Sequence, residues 1–208
     1  MYVTRTETTV VAGRAGDYEE RAARLGELVK SQRGFQGRLL LNSFGYPGKW
    51  ALLTFWESRE AARAWARSPQ NLAFIQANPL QGISALNRPG EAYAVIHDVS
   101  GSGEAASVNL VDIALDARRP GNAAAFEASR KELLELRKKH FQGFVSNWTL
   151  RFLGSANRYL GVLQSSSREM LGPVQTAPEL AAFTAAHPNT EWASTPFLVE
   201  RYEVIQRL

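Results

Sequence analysis

The chain has 208 residues, 45% of them hydrophobic, with no cysteine, a net charge of +4 and a pI near 9.6. Without cysteine there are no disulfides, thiolate metal sites or cysteine nucleophiles. The cations are spread over the whole length rather than gathered in a stripe, which speaks against nucleic-acid binding, and no apolar run approaches the roughly 20 residues of a membrane helix.

Residues 1–12 are rich in Thr, Val and Tyr and read as a strand. The N-terminus carries no basic and apolar leader, so a cytoplasmic protein is expected. Gly13-Arg14-Ala15-Gly16 is a turn, and Asp17 with Glu20 three residues on has the spacing of a capping box. Tyr18, Ala22, Leu25, Leu28 and Val29 follow at helical spacing, and Gly34 is the expected helix stop. Residues 38–44 and 50–56 form two strands around the turn Gly45-Tyr46-Pro47-Gly48. Ser58 caps a helix, Ser68-Pro69 starts another, and residues 91–99 form a fourth strand. The order is β-α-β-β-α-β, a ferredoxin-like unit.

Residues 100–106, Ser-Gly-Ser-Gly-Glu-Ala-Ala, have the composition of a linker. The Gly101-Ser-Gly-Glu-Ala-Ala spacing formally fits a dinucleotide fingerprint, but a strand rather than a helix follows it, so no phosphate site is expected. The pattern then repeats. Phe35-Gln36-Gly37 recurs as Phe141-Gln142-Gly143, and Pro69, Phe74 and Pro79 recur as Pro178, Phe183 and Pro188. Three extra residues in the second copy are assigned to a longer hairpin at Leu153–Asn157. Arg137-Lys138-Lys139 closes a helix, where cations complement the negative dipole end. The expected fold is α+β: two ferredoxin-like repeats, 1–99 and 107–208, joined by 100–106. Each sheet has helices on one face only, so the two are expected to pack sheet to sheet as an intramolecular α/β barrel. The assembly is then an internal pseudo-dimer, either monomeric or further paired as a homodimer.

Phe35-Gln36-Gly37-Arg38, the hairpin, Trp50-Ala-Leu-Leu-Thr-Phe-Trp-Glu-Ser and Ala61–Trp65 resemble antibiotic biosynthesis monooxygenase (ABM)-type domains of the dimeric α/β-barrel superfamily. The second half fits by element order, with Gln164-Ser-Ser-Ser where Phe-Trp-Glu-Ser would stand. Similarity to the cofactor-independent oxygenases of that family falls on Trp56. Those enzymes pair this tryptophan with an Asn four residues earlier and a Tyr six residues later, where this chain has Leu52 and Ala62. The haem-degrading members carry a first-strand Asn, a helical Trp and, ten residues beyond it, a His. Here these positions are about Thr6, Trp65 and Ile75. With no imidazole in place, the resemblance implies no cofactor, haem included.

The candidate substrate-binding residues are Trp56, Trp65, Thr54, Asn42, Arg38 and His97. Leu52 and Thr54 alternate onto the face of Trp56, giving a largely apolar wall. The plainer reading of the two tryptophans is core packing, with pocket wall as the alternative, and the plainer place for Arg38 and Asn42 is an edge or the surface. His97 has no identifiable carboxylate partner and reads as a satisfied half-buried side chain, and no metal site is expected from three scattered histidines. Two readings follow. One is an oxygenase-type enzyme taking a small apolar or aromatic molecule in the first repeat, with the second repeat mainly a covering sheet. The other is a non-catalytic ligand-binding or stress-related barrel. A haem-degrading monooxygenase ranks below both.

Overall fold

The computed structural model describes residues 1–119, 121–171, 177–193 and 195–208. They form two compact units, Met1–Tyr93 with Val204–Leu208, and Ala94–Glu203. The first unit contains β1 (Tyr2–Val10), α1 (Ala15–Lys30), β2 (Phe35–Ser43), β3 (Lys49–Trp56), α2 (Arg59–Ala66), α3 (Pro69–Ala77), β4 (Ser84–Asn87) and the start of β5 (Glu91–Ser100). Strand β3 lies between β1 and β2 and is antiparallel to both. The short β4, absent from the sequence pattern, pairs with β1. The other edge of β2 receives the C-terminus, where Arg38 and Leu208 exchange backbone hydrogen bonds of 3.0 and 3.1 Å.

The second unit holds the rest of β5, then β6 (Ser107–Ala114), α4 (Asn122–His140), β7 (Phe144–Phe152), β8 (Arg158–Ser165), α5 (Pro178–Ala186) and most of β9 (Leu198–Arg207). Here β8 lies between β6 and β7, and β6 also pairs with the N-terminal half of β9. Both units are therefore ferredoxin-like, and the α+β class with two repeats is the observed one.

The register corrects the alignment of the repeats. Tyr2 faces Trp56 and Ser107 faces Ser165, so the offset is 105 residues on the first strand and 109 on the third. Phe35 also faces Trp56 and Phe144 faces Ser165, which pairs Phe35 with Phe144 and not with Phe141. Gly34 and Gly143 are the true equivalents. Both have left-handed φ, 80° and 84°, and their carbonyls accept from Glu57 and Ser166 at 2.7 and 2.9 Å. The hairpins, 44–48 and 153–157, are of equal length. The extra residues lie between β6 and β7, where α4 has 19 residues against 16 in α1. Four residues make about one helical turn, so they can be added without turning the buried face away from the sheet.

Two helix starts follow the sequence signals. The Ser58 and Ser68 hydroxyls accept from the Ala61 and Asn71 amides at 3.1 and 3.2 Å, and Pro69 opens α3. Asp17 makes no capping box. Helix α1 begins before it, at Ala15, and the Asp17 carboxylate pairs with Arg14 instead. Helices α1 and α4 dock through rings: Tyr18 on Trp50 at 5.3 Å, and Phe126 on Tyr159 at 4.9 Å.

Gly34 turns the chain from α1 into β2, and a Cβ there would stand 2.7 Å from that of Ala61. Gly34→Ala is expected to destabilise the protein by about 1–3 kcal/mol, through left-handed strain and this clash. Urea denaturation measures the loss.

Candidate functional site

In the first unit the β1–β3–β2 ladder decides what faces the helices. Thr4 and Arg38 both face Thr54, Thr6 and Leu40 face Leu52, and Tyr2 faces Trp56. Side chains alternate across a sheet, so all of these share one side. Helices α1, α2 and α3 cover it and leave a cavity of about 210 Å³. Its walls include Thr4, Thr6, Arg38, Leu52, Thr54 and Trp56 from the strands, with Ala62, Trp65 and Asn71 among the helical contributions.

Of the six candidates from the sequence, Trp56, Trp65, Thr54 and Arg38 come together here. Asn42 shares their sheet face but stands opposite Trp50, farther along the strand, and does not line the cavity. His97 belongs to the second unit, where its Nε2 lies 2.9 Å from the Glu127 carbonyl. Leu52 and Ala62 do line the cavity, so the two replaced polar positions are apolar wall, whereas Ile75 is exposed. Sequence patterning does not single out Thr4 or Asn71. The alternation of Thr4 with Thr6 is the signal for the first, and nothing in the local pattern marks the second.

Trp56 is at once wall and core. It is 1% exposed, packs with Val29 and Ala62, and meets Phe35 edge to face at 6.0 Å. Its indole Nε1 is buried without a hydrogen-bond partner.

Arg38 differs most from its expected edge or surface place, being only 2% exposed. One guanidinium nitrogen, Nη1, donates to the Ala22 carbonyl of α1 at 2.8 Å, and Nη2 is buried with no partner. Burial pushes its pKa down to about 10, so it is a cation at neutral pH. Gly26 makes the room, since a Cβ there would lie 2.6 Å from Nη1. A buried guanidinium and an indole N–H, both with unused donors, suit a ligand oxygen better than an empty apolar core.

The second unit has a cavity of its own, about 130 Å³, between its sheet and helices α4 and α5. By strand register Asn147 occupies the place of Arg38, Gly161 that of Leu52 and Leu163 that of Thr54. The second repeat is thus more than a covering sheet, and the fold provides two cavities with different linings.

Comparison with known proteins places this geometry. The family model for antibiotic biosynthesis monooxygenases matches residues 1–77. A haem oxygenase (mycobilin-producing) of Mycobacterium tuberculosis is 35% identical over 100 residues, spanning 47% of this chain and 90% of that protein. The chain belongs to the antibiotic biosynthesis monooxygenase family. A candidate monooxygenase from Fusobacterium nucleatum shares the fold with a TM-score of 0.81 at 9% identity, over 99% of this chain and 93% of that one. A haem-degrading enzyme from Listeria monocytogenes does so at 0.53 and 12% identity, over 98% and 99%.

These relatives overturn one expectation from the sequence, that this chain takes no cofactor, haem included. The inference from a missing imidazole was too broad, because a haem oxygenase stands at 35% identity. Haem iron takes His, Cys, Met or Tyr as its protein ligand. Among the described residues none of these lines the first cavity, so the residues of that cavity do not fit a haem ligated from its walls. Among the described residues there is also no cluster of metal-ligating side chains, and no helix is long and apolar enough to cross a membrane.

The berth of Arg38 can be tested through Gly26. In an exposed helix Gly→Ala stabilises by about 1 kcal/mol. Here Gly26→Ala is expected to destabilise by about 1–3 kcal/mol, because the new methyl displaces the guanidinium, as read from chemical denaturation.

Proposed function

We propose that this ABM-family protein is of oxygenase type. Its first repeat, within residues 1–99, would bind a small apolar or aromatic molecule carrying an oxygen that can bear negative charge. The observation that carries this reading is the buried Arg38 with its unpartnered Nη2, in a cavity otherwise walled by Trp56, Trp65, Leu52 and threonines. A cation out of water favours the anionic form of a phenol or enol, which gives up electrons more readily than the neutral form. The indole N–H of Trp56 offers the same oxygen a second donor. The tryptophan faces hold the apolar body by burial. For an anthrone-type substrate the oxidation turns a ring CH2 into C=O. One atom of dioxygen enters the product, and the other leaves as water with the two hydrogens of that carbon.

A second reading has its own support. No carboxylate or imidazole among the described residues lines the first cavity, so no protein group stands ready as a general base. This favours a ligand-binding protein without catalysis.

Quinol and anthrone-type compounds separate the readings. Tryptophan fluorescence is expected to report binding, weakened about tenfold or more in Arg38→Met and lost in Trp56→Ala. Oxygen uptake above the protein-free rate supports the oxygenase reading, and binding without such uptake leaves the binding protein. Absence of binding, or a Soret shift on hemin addition that disappears in Trp65→Ala, overturns both. Because Arg38 stays charged until about pH 10, observed affinity for a phenol taken up as its anion is expected to rise with pH as the free phenol ionises and to fall once Arg38 loses its charge above about pH 10.

A further inference from the structure

We propose that the second repeat holds a separate site for a small carboxylate joined to an apolar body, received by Arg130 and Arg137 of α4. Both arginines line the cavity of the second unit. Neither makes a salt bridge with a carboxylate among the described residues, a costly arrangement for half-buried cations.

Arg137 donates from Nη1 to the Asn147 side-chain oxygen at 2.9 Å. Asn147 is 2% exposed and is fixed in turn by its amide, which donates to the Val162 carbonyl at 2.8 Å. Arg130 lies over the Phe126 ring at 4.7 Å and the Phe197 ring at 5.5 Å, and its Nε is buried with no partner. Rings and an amide hold the two cations in place while leaving donors unused. Burial lowers the pKa of both, to about 10 for Arg130 and about 9 for Arg137, and the Arg137 value is lowered further by Arg130. Mutual repulsion of this kind is relieved by an anion between them.

Leu133, Leu134, Leu163, Phe183 and Val111 supply apolar wall. Gly161 adds free space, since it replaces by register the leucine of the first repeat. His187 also faces the cavity, its ring tilted against that of Phe183 at 4.7 Å. Its outer nitrogen Nδ1 lies 3.7 Å from the half-exposed carboxylate of Glu191, which is not part of the cavity wall. On α4 itself Glu127, three residues before Arg130, is engaged by Tyr159 and Arg151. Two cations, no carboxylate among the described lining residues and a small chamber with one apolar side select a monocarboxylate of about the size of benzoate over a neutral molecule or a bulky polyanion.

Benzoate and its neutral isostere benzamide are the probes, titrated into the full chain by calorimetry with methyl NMR to locate them. Benzoate is expected to bind in the millimolar range or tighter and to shift the Leu133, Leu134 and Leu163 methyls but not those of Leu25 and Leu52. Benzamide is expected to bind about tenfold or more weakly. Arg130→Met and Arg137→Met are expected each to lose about tenfold or more in benzoate affinity. Arg130→Met is expected to melt no lower than the parent, because it removes a half-buried charge that has no ion pair, whereas Arg137→Met melts lower because the buried Asn147 oxygen loses its donor. The proposal is overturned by no binding in the millimolar range, by equal binding of benzamide, or by shifts at Leu25 and Leu52 instead. It is equally overturned if the methionine variants melt lower while keeping benzoate affinity, the mark of a purely structural role. None of these outcomes depends on what the first cavity binds.

Discussion

Everything at the first cavity depends on the antiparallel register of β1, β3 and β2. A slip of one residue would turn Trp56, Thr54, Leu52 and Arg38 to the other side of the sheet and bring Phe55 and Leu53 in their place. The register is held at one end by the irregular pairing of Phe35 and Gly37 against Trp56 and Phe55, and by the Gly34 carbonyl accepting from Glu57. The second repeat uses the same device, with Phe144 and Ser146 against Ser165 and Gln164, and the Gly143 carbonyl accepting from Ser166. Left-handed glycine, irregular strand start and strand end therefore recur as one unit, although the tryptophan that fills it in the first repeat is Ser165 in the second.

On this common frame the two repeats place a guanidinium near the same strand position by different routes. In the first repeat the cation is Arg38, on the strand itself, anchored to a helix carbonyl. In the second, the strand position is Asn147 and the cation is Arg137, reaching from the helix to the Asn147 oxygen. The longer α4 supplies a helix residue where α1 supplies a backbone carbonyl. What differs is the surrounding wall, aromatic and threonine-rich around Arg38, aliphatic with a second cation around Arg137. A frame of this kind fixes where a ligand sits, while the side chains on it decide which ligand.

The likeness to haem oxygenase narrows what can be said of cofactors in the family while leaving the donor set of this chain as it is. The imidazoles of the chain are His97, His140 and His187, all in the second unit. His97 is occupied with a backbone carbonyl and His140 lies 3.5 Å from Glu179. Family membership and the cavity's own chemistry thus answer different questions. The first concerns ancestry and fold, the second the groups within reach of a bound molecule.

The order of elements, the doubled ferredoxin-like unit and the Trp56 corner were legible in the linear sequence because they rest on local signals: alternation, helical spacing, serine caps and a repeated set of prolines and aromatics. The alignment of the repeats was not, since Phe-Gln-Gly recurs within a helix end in one copy and a strand in the other, and only hydrogen-bond register tells them apart. The place of Arg38 was also hidden. Its sequence neighbours say strand, but its burial depends on Gly26 and Ala22, which approach only when α1 folds over the sheet. Likewise Arg130 and Arg137 read as the cationic side of a helix, and became cavity residues because α4 turns that side inward against Asn147. By itself the sequence determined the main elements and the family. Tertiary structure decided which polar groups leave water without a partner, because burial and pairing arise between segments distant along the chain.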